Sequence, residues 1–151
     1  MELKTLYIEA TRKTPHVDFN NVTGELIIDG KSIPENAALL YEDILNWIVE
    51  YVKYPKAITN FRLNLEYFNT ASAIWLAKIV RILSSIKDEN NTLIIHLSFS
   101  IEDFENMDTE EIKDELHPLI HLIGDTVISM AFKIYGTDEN GNILRESKVF
   151  L

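Results

Sequence analysis

The 151-residue chain contains no cysteine. That excludes disulfides, a thiolate nucleophile and any zinc site built on Cys ligands. Cations are short: 14 Lys and Arg stand against 24 Asp and Glu, a formal net charge of −10. Such a surface repels phosphate backbones and anionic lipid, so neither nucleic acid nor a membrane surface is an expected partner. Long apolar runs are missing. No stretch reaches the roughly 20 residues of a membrane-spanning helix. The opening MELKTLYIEATRK lacks the apolar core of a secretory signal. A cytoplasmic location is expected. Glycine and proline are scarce, at 5 and 4, and no Pro/Gly/Ser linker divides the chain. One domain over residues 1–151 is expected, long enough for a sizeable core. A Gly-rich phosphate loop, a Gly-x-Ser-x-Gly elbow and a His-Glu-x-x-His pair are all absent.

What is present alternates between strand and helix patterns. Residues 3–10, 15–19 and 25–28 read as short strands separated by Asn20-Asn21 and Thr23-Gly24, with Asp29-Gly30 as the closing turn. A small antiparallel meander is expected there. Pro34 suits the first turn of a helix, with Ser32 ahead of it as a candidate cap. Leu40, Ile44, Trp47, Ile48 and Tyr51 then form an apolar stripe. Residues 57–68 read as a strand. A helix follows, with Ile74, Trp75, Ile79, Ile82, Leu83 and Ile86 on its inner side. Residues 93–99 alternate as another strand. Residues 108–122 read as a helix capped at Asp108-Thr109, disturbed by Pro118 and closed near Gly124. Ile128, Met130, Phe132 and Ile134 mark a further strand. The Asp138-Glu139-Asn140-Gly141 turn returns a last one over 143–151. The order β-β-β-α-β-α-β-α-β, with a terminal strand, predicts an α/β domain: a mixed sheet backed by helices. Residues 57–68 should form a central strand, with 93–99 parallel to it.

Candidate chemistry is sparse. His117 and His121 share a helix face at i and i+4, yet two imidazoles fall short of a closed zinc site, and no metal or cofactor is expected. His96 reads as a strand residue facing a helix. Trp47 and Trp75 read as core. The acidic clusters at 88–89, 102–105 and 108–115 read as solvated surface, or as a docking face for a basic partner. The stretch LEYFNTASAIWLAKIV, residues 65–80, differs. Its Asn-Thr pair falls where a strand ends and a helix begins. Asn69 or Thr70 can accept a hydrogen bond from an unpaired N–H of the first turn. The same place, at the positive end of a helix dipole, suits a phosphate or another ligand.

Three segments carry a family likeness. TRKTPHVDFNNVTGELIIDGKSIPEN (11–36) matches an opening of Thr-x-x-Thr-Pro-x-Val, a Gly-x-Leu strand and a Gly-x-Ser-x-Pro-Glu-Asn turn. LLYEDILNWIVEYV matches an aromatic helix, and LEYFNTAS matches Tyr-Phe/Leu-Asn-Thr-Ser-Ser. In this order and spacing the chain resembles the SiaC family of bacterial regulatory phosphoproteins. The resemblance implies a STAS-like fold, similar to anti-anti-sigma proteins. It also implies a non-enzymatic partner switch. A cognate kinase would phosphorylate the motif threonine, here Thr70, and a PP2C-type phosphatase would release the phosphate. The unphosphorylated form would bind an output protein such as a diguanylate cyclase. Asn69, Ala71 and Ser72 around it, with Ser32, Pro34, Glu35 and Asn36 of the signature turn, would form the partner face. Ala71 replaces the first of two family serines, and the likeness fades beyond Phe99. Two other readings of Thr70 stay open: a ligand in the pocket of a small α/β enzyme or binding protein, or merely a helix cap in a structural subunit.

Overall fold

The computed structural model describes residues 3–106, 108, 110, 111, 114 and 126–150. Seven strands lie side by side in chain order: β1 (Leu6–Ile8), β2 (His16–Asn20), β3 (Glu25–Ser32), β4 (Ile58–Phe68), β5 (Thr92–Ser100), β6 (Ser129–Thr137) and β7 (Ile143–Phe150). The first three form the expected antiparallel meander. β3 to β6 run parallel, and β7 returns antiparallel. Helix α1 (Ala37–Tyr51) joins β3 to β4, and α2 (Thr70–Ser84) joins β4 to β5. A short helix, α3 (Ile101–Asn106), follows β5. Every parallel strand adds on the same side of its predecessor, so right-handed crossovers place α1 and α2 on one face of the sheet. β4 is the central strand and β5 is its parallel neighbour, as expected.

The core lies between that face and the helices. Phe19, Leu26, Phe61, Ile95 and Phe132 come from five adjacent strands. They meet Tyr41, Ile44 and Ile48 of α1 and Ile79 and Leu83 of α2, all fully buried. Trp47 is core, stacked on Tyr51 at 5.3 Å, while Trp75 is half-buried and stacks on Tyr41 at 6.2 Å.

Several local expectations are corrected. Asp29-Gly30 closes no turn. β3 continues through it to Ser32, because Gly30 at φ 113° admits a bulge in the pairing with β4. Ser32 is not the cap of α1; Asn36 is, accepting from Leu39 N at 3.3 Å. The buried side of α2 is Ser72, Leu76, Ile79, Val80 and Leu83, whereas Ile74 is 55% exposed. α3 was not anticipated: Ile101 and Phe104 settle over Gly136, where any Cβ would meet them at 2.9 Å. Asp108 does accept from Glu111 N at 2.8 Å, as a cap would. His117, Pro118, His121 and Gly124, and with them most of the helix expected over 108–122, lie outside the described residues.

Candidate functional site

β4 ends at Phe68, and α2 begins two residues later. Asn69 is the N-cap. Its backbone is extended (φ −87°, ψ 172°) and its Oδ1 accepts from Ser72 N at 2.9 Å. The cap is therefore made by the asparagine, and Thr70 stands at the first helical position. Thr70 is exposed, and its hydroxyl makes no hydrogen bond among the described residues. Ala71 beside it is exposed too. The reading of Thr70 as a structural cap is thereby corrected.

Asn69 also ties the joint to the signature turn. Its N–H donates to Ser32 O at 3.0 Å, and its Nδ2 donates to Pro34 O at 3.4 Å. Beneath them lies a buried hydroxyl chain. Ser72 Oγ donates to Ser32 O at 2.9 Å, Ser32 Oγ donates to Ser72 Oγ at 2.8 Å, and Ser32 Oγ also bonds the Tyr41 hydroxyl. Burial pushes the Tyr41 phenol above its ordinary range, so it stays protonated as a partner. Ser32 and Ser72 are 0% exposed, and Pro34 is buried. These three were expected on the partner face. They are buried instead, where they lock β3, α1 and α2 together. Their polar atoms are satisfied internally, so they have no need of an outside partner.

The exposed rim consists of Thr70 and Ala71 with Ile33, Glu35 and Asn36. A third segment closes it. Ile33 N donates to Lys13 O at 2.8 Å, and Lys13 Nζ pairs with Glu35 at 2.8 Å. Hydrogen bonding to Glu35 raises the Lys13 pKa and lowers that of Glu35. Both side chains are solvated, so the pair positions the turn with little gain in stability. Sequence reasoning missed Tyr41 and Lys13. Tyr41 has a readable signal, since a tyrosine on the buried side of a helix needs a partner for its hydroxyl. Lys13 has none.

A second polar cluster lies on the sheet face away from α1 and α2. His96 points there, because Ile95 and Leu97 on either side of it pack toward the core. Among the described helices, His96 therefore faces neither α1 nor α2. Arg62 can only donate, so His96 Nδ1 accepts from it at 3.3 Å and from the Tyr135 hydroxyl at 2.7 Å. His96 Nε2 then donates to Asn60 Oδ1 at 2.8 Å. Arg62 also pairs with Glu25 at 2.7 Å. Burial, with Arg62 and Lys133 nearby, lowers the His96 pKa to about 4. Among the described residues no three His, Asp or Glu side chains gather as metal ligands. None of the described helices is long and apolar enough to cross a membrane.

Comparison with known proteins bears on this geometry. Residues 8–124 match the SiaC family regulatory phosphoprotein profile. An uncharacterized protein of Pseudomonas aeruginosa (strain UCBPP-PA14) is 27% identical over 81 residues, 54% of this chain and 64% of that relative. The fold is similar to apo-SiaC from Pseudomonas aeruginosa, with a TM-score of 0.58 at 20% identity over 84% of this chain and 98% of that one. It is also similar to a structure of the diguanylate cyclase SiaD in complex with its activator SiaC. There the TM-score is 0.64 at 18% identity, covering 83% of this chain and 97% of the other. The profile spans most of the chain, including the capped joint at Asn69-Thr70 and the turn it is tied to, so the chain belongs to the SiaC family of regulatory phosphoproteins.

Proposed function

We propose that the chain is a partner switch controlled by reversible phosphorylation of Thr70. One observation carries the reading. Of the hydroxyls of Ser32, Tyr41, Thr70 and Ser72 around this joint, only that of Thr70 is exposed, and Asn69 has relieved it of the capping role. A kinase can reach it without unfolding the helix. A phosphate placed there meets the N–H groups and positive dipole of the first turn of α2, which carries no acidic residue. A PP2C-type phosphatase would reset the switch. SiaD, a diguanylate cyclase, is held by its activator SiaC in a complex whose SiaC fold resembles this one. We take a diguanylate cyclase as the output partner of the unphosphorylated form.

The test is to incubate the full chain with ATP and the cognate kinase, map the phosphate by mass spectrometry, and titrate the diguanylate cyclase before and after. Phosphate on Thr70 and a loss of cyclase binding are expected. Phosphate found only elsewhere, or binding indifferent to it, rejects the switch.

A further inference from the structure

The two edges of the sheet are unequal. β1 has three residues, whereas β7 runs for eight, Ile143–Phe150, and pairs on its inner side with β6. Among the described residues, no strand pairs with its outer side. Such an edge offers unpaired N–H and C=O groups to another strand, and β7 has no proline to block one. The family profile ends at residue 124, so β7 lies beyond it. The charge of this edge is also unlike that of the chain. β7 bears one acid, Glu146, and two bases, Arg145 and Lys148, where the whole chain has 24 acids and 14 bases. Two copies of a molecule at −10 therefore repel each other least when these edges meet. All three side chains are exposed, and none forms an ion pair among the described residues. Lys148 stands directly opposite Lys133, a like-charge pairing that disfavours the monomer.

The order of these residues selects the partner. Glu146 and Lys148 lie opposite Tyr135 and Lys133 and share one sheet face; Ser147, opposite Ile134, lies on the other. When two β7 strands pair antiparallel about a two-fold axis normal to the sheet, opposed residues share a face. An axis through Ser147 sets Glu146 of each copy against Lys148 of the other. An axis through Arg145, Glu146 or Lys148 sets that residue against its own copy, like charge on like. Among axes through residues 145 to 148, only the one at Ser147 pairs opposite charges. We infer that β7 is a homodimer interface, in which the edges of two copies pair antiparallel about Ser147 and join their sheets. Glu146 of the second copy then offsets the Lys148–Lys133 repulsion. β7 stands three strands from β4, roughly 14 Å at the spacing of a sheet. The interface leaves Thr70 clear, so the inference is independent of the proposed switch.

The test uses sedimentation and cross-linking of the full chain. The parent should form a dimer that builds with concentration. Glu146→Lys and Lys148→Glu each set two like-charge pairs at the interface and should each weaken the dimer about tenfold. The double variant Glu146→Lys/Lys148→Glu should restore it, and the two single variants, when mixed, should pair with each other. The chain has no cysteine, so Ser147→Cys introduces a single thiol. Opposed Cα atoms of an antiparallel pair lie about 4.5–5.5 Å apart, within the span of a disulfide. Oxidised Ser147→Cys should therefore run as a covalent dimer. Arg145→Cys should not, because this register holds its two copies more than about 13 Å apart. A parent that stays monomeric at millimolar concentration overturns the inference, as when a strand of another protein takes the edge. So do equal cross-linking from both thiols, a dimer unmoved by either charge reversal, and a double variant that stays as weak as the single ones. Phosphate on Thr70 should leave the dimer intact, and a dimer that it dissolves would lie elsewhere on the surface.

Discussion

Thr70 and Ser72 are two residues apart and opposite in environment. Thr70 is exposed at the first helical position, while Ser72 is sealed beneath it and bonded to Ser32. Thr70→Ala removes a solvated hydroxyl and should change stability by less than about 0.5 kcal/mol. Ser72→Ala removes two hydrogen bonds of the buried chain, while Asn69 N still satisfies the Ser32 carbonyl and Tyr41 its hydroxyl, and should lower stability by about 1 kcal/mol. Urea denaturation of both variants checks this, and equal effects would contradict the buried chain. The same contrast governs phosphate transfer: Thr70→Ala should abolish it, and Ser72→Ala should leave Thr70 modifiable. His96 supplies a pH dependence. Its pKa falls from an ordinary 6.5 to about 4 on folding. Between those values the unfolded chain holds a proton that the folded chain lacks, so stability is lost as pH falls through that window. About 2 kcal/mol should go between pH 7.5 and pH 5 through this residue alone. His96→Gln should flatten the urea-midpoint profile over that range relative to the parent, and identical profiles would refute the assignment.

Elements built on a strong period were legible in the sequence. β4, β5 and β6 alternate apolar residues across a sheet that the helices cover on one face, so their existence and parallel pairing could be inferred from strand–helix–strand order alone. What failed to show was anything decided between elements. Hydrophobic periodicity places Ile74 on the inner side of α2 and leaves Val80 out, because Ile, Trp and Leu crowd most of the helix and the true stripe includes a serine. Ser72 is inside for its hydrogen bonds, a reason that hydrophobic periodicity does not register. Asp29-Gly30 carries the chemistry of a turn, yet the parallel pairing with β4 extends β3 through it. At the site, the Asn-Thr joint was visible, but which of the two caps the helix depended on backbone geometry. That geometry makes Asn69→Ala informative. Losing the cap should destabilise the domain by about 1 kcal/mol. Because α2 has no acidic residue in its first turn, a phosphate on Thr70 should return up to about 1 kcal/mol. Thermal unfolding of Asn69→Ala with and without phosphate tests this. A variant that gains nothing on phosphorylation would place the phosphate away from the helix N–H groups.

For the whole molecule, the decisive fact is that the core and the exposed rim of the candidate site occupy the same side of the sheet without sharing residues, joined beneath the rim by Tyr41, a core residue whose hydroxyl ends the buried chain. α1 and α2 seal the core, and the ends of β3 and β4 present the rim above the hydroxyl chain. A group added at Thr70 therefore projects into solvent and displaces nothing buried. Phosphorylation takes the formal charge from −10 to about −12 at pH 7. The added repulsion is spread over a chain that already tolerates acid, and the local dipole offsets part of it. The switch should thus act by altering a surface, leaving the fold in place. In an NMR comparison of the two forms, shifts should be confined to the start of α2, the turn at 32–36 and the Lys13 segment. Amide exchange of β4, β5 and β6 should be unchanged. Partner binding should weaken on phosphorylation, and the difference between the two forms should shrink as salt is raised, because an exposed dianion is screened over about 10 Å at 0.1 M. Shifts spreading through the sheet, or faster exchange in β5, would mean that phosphate loosens the domain, and the switch would then work by refolding.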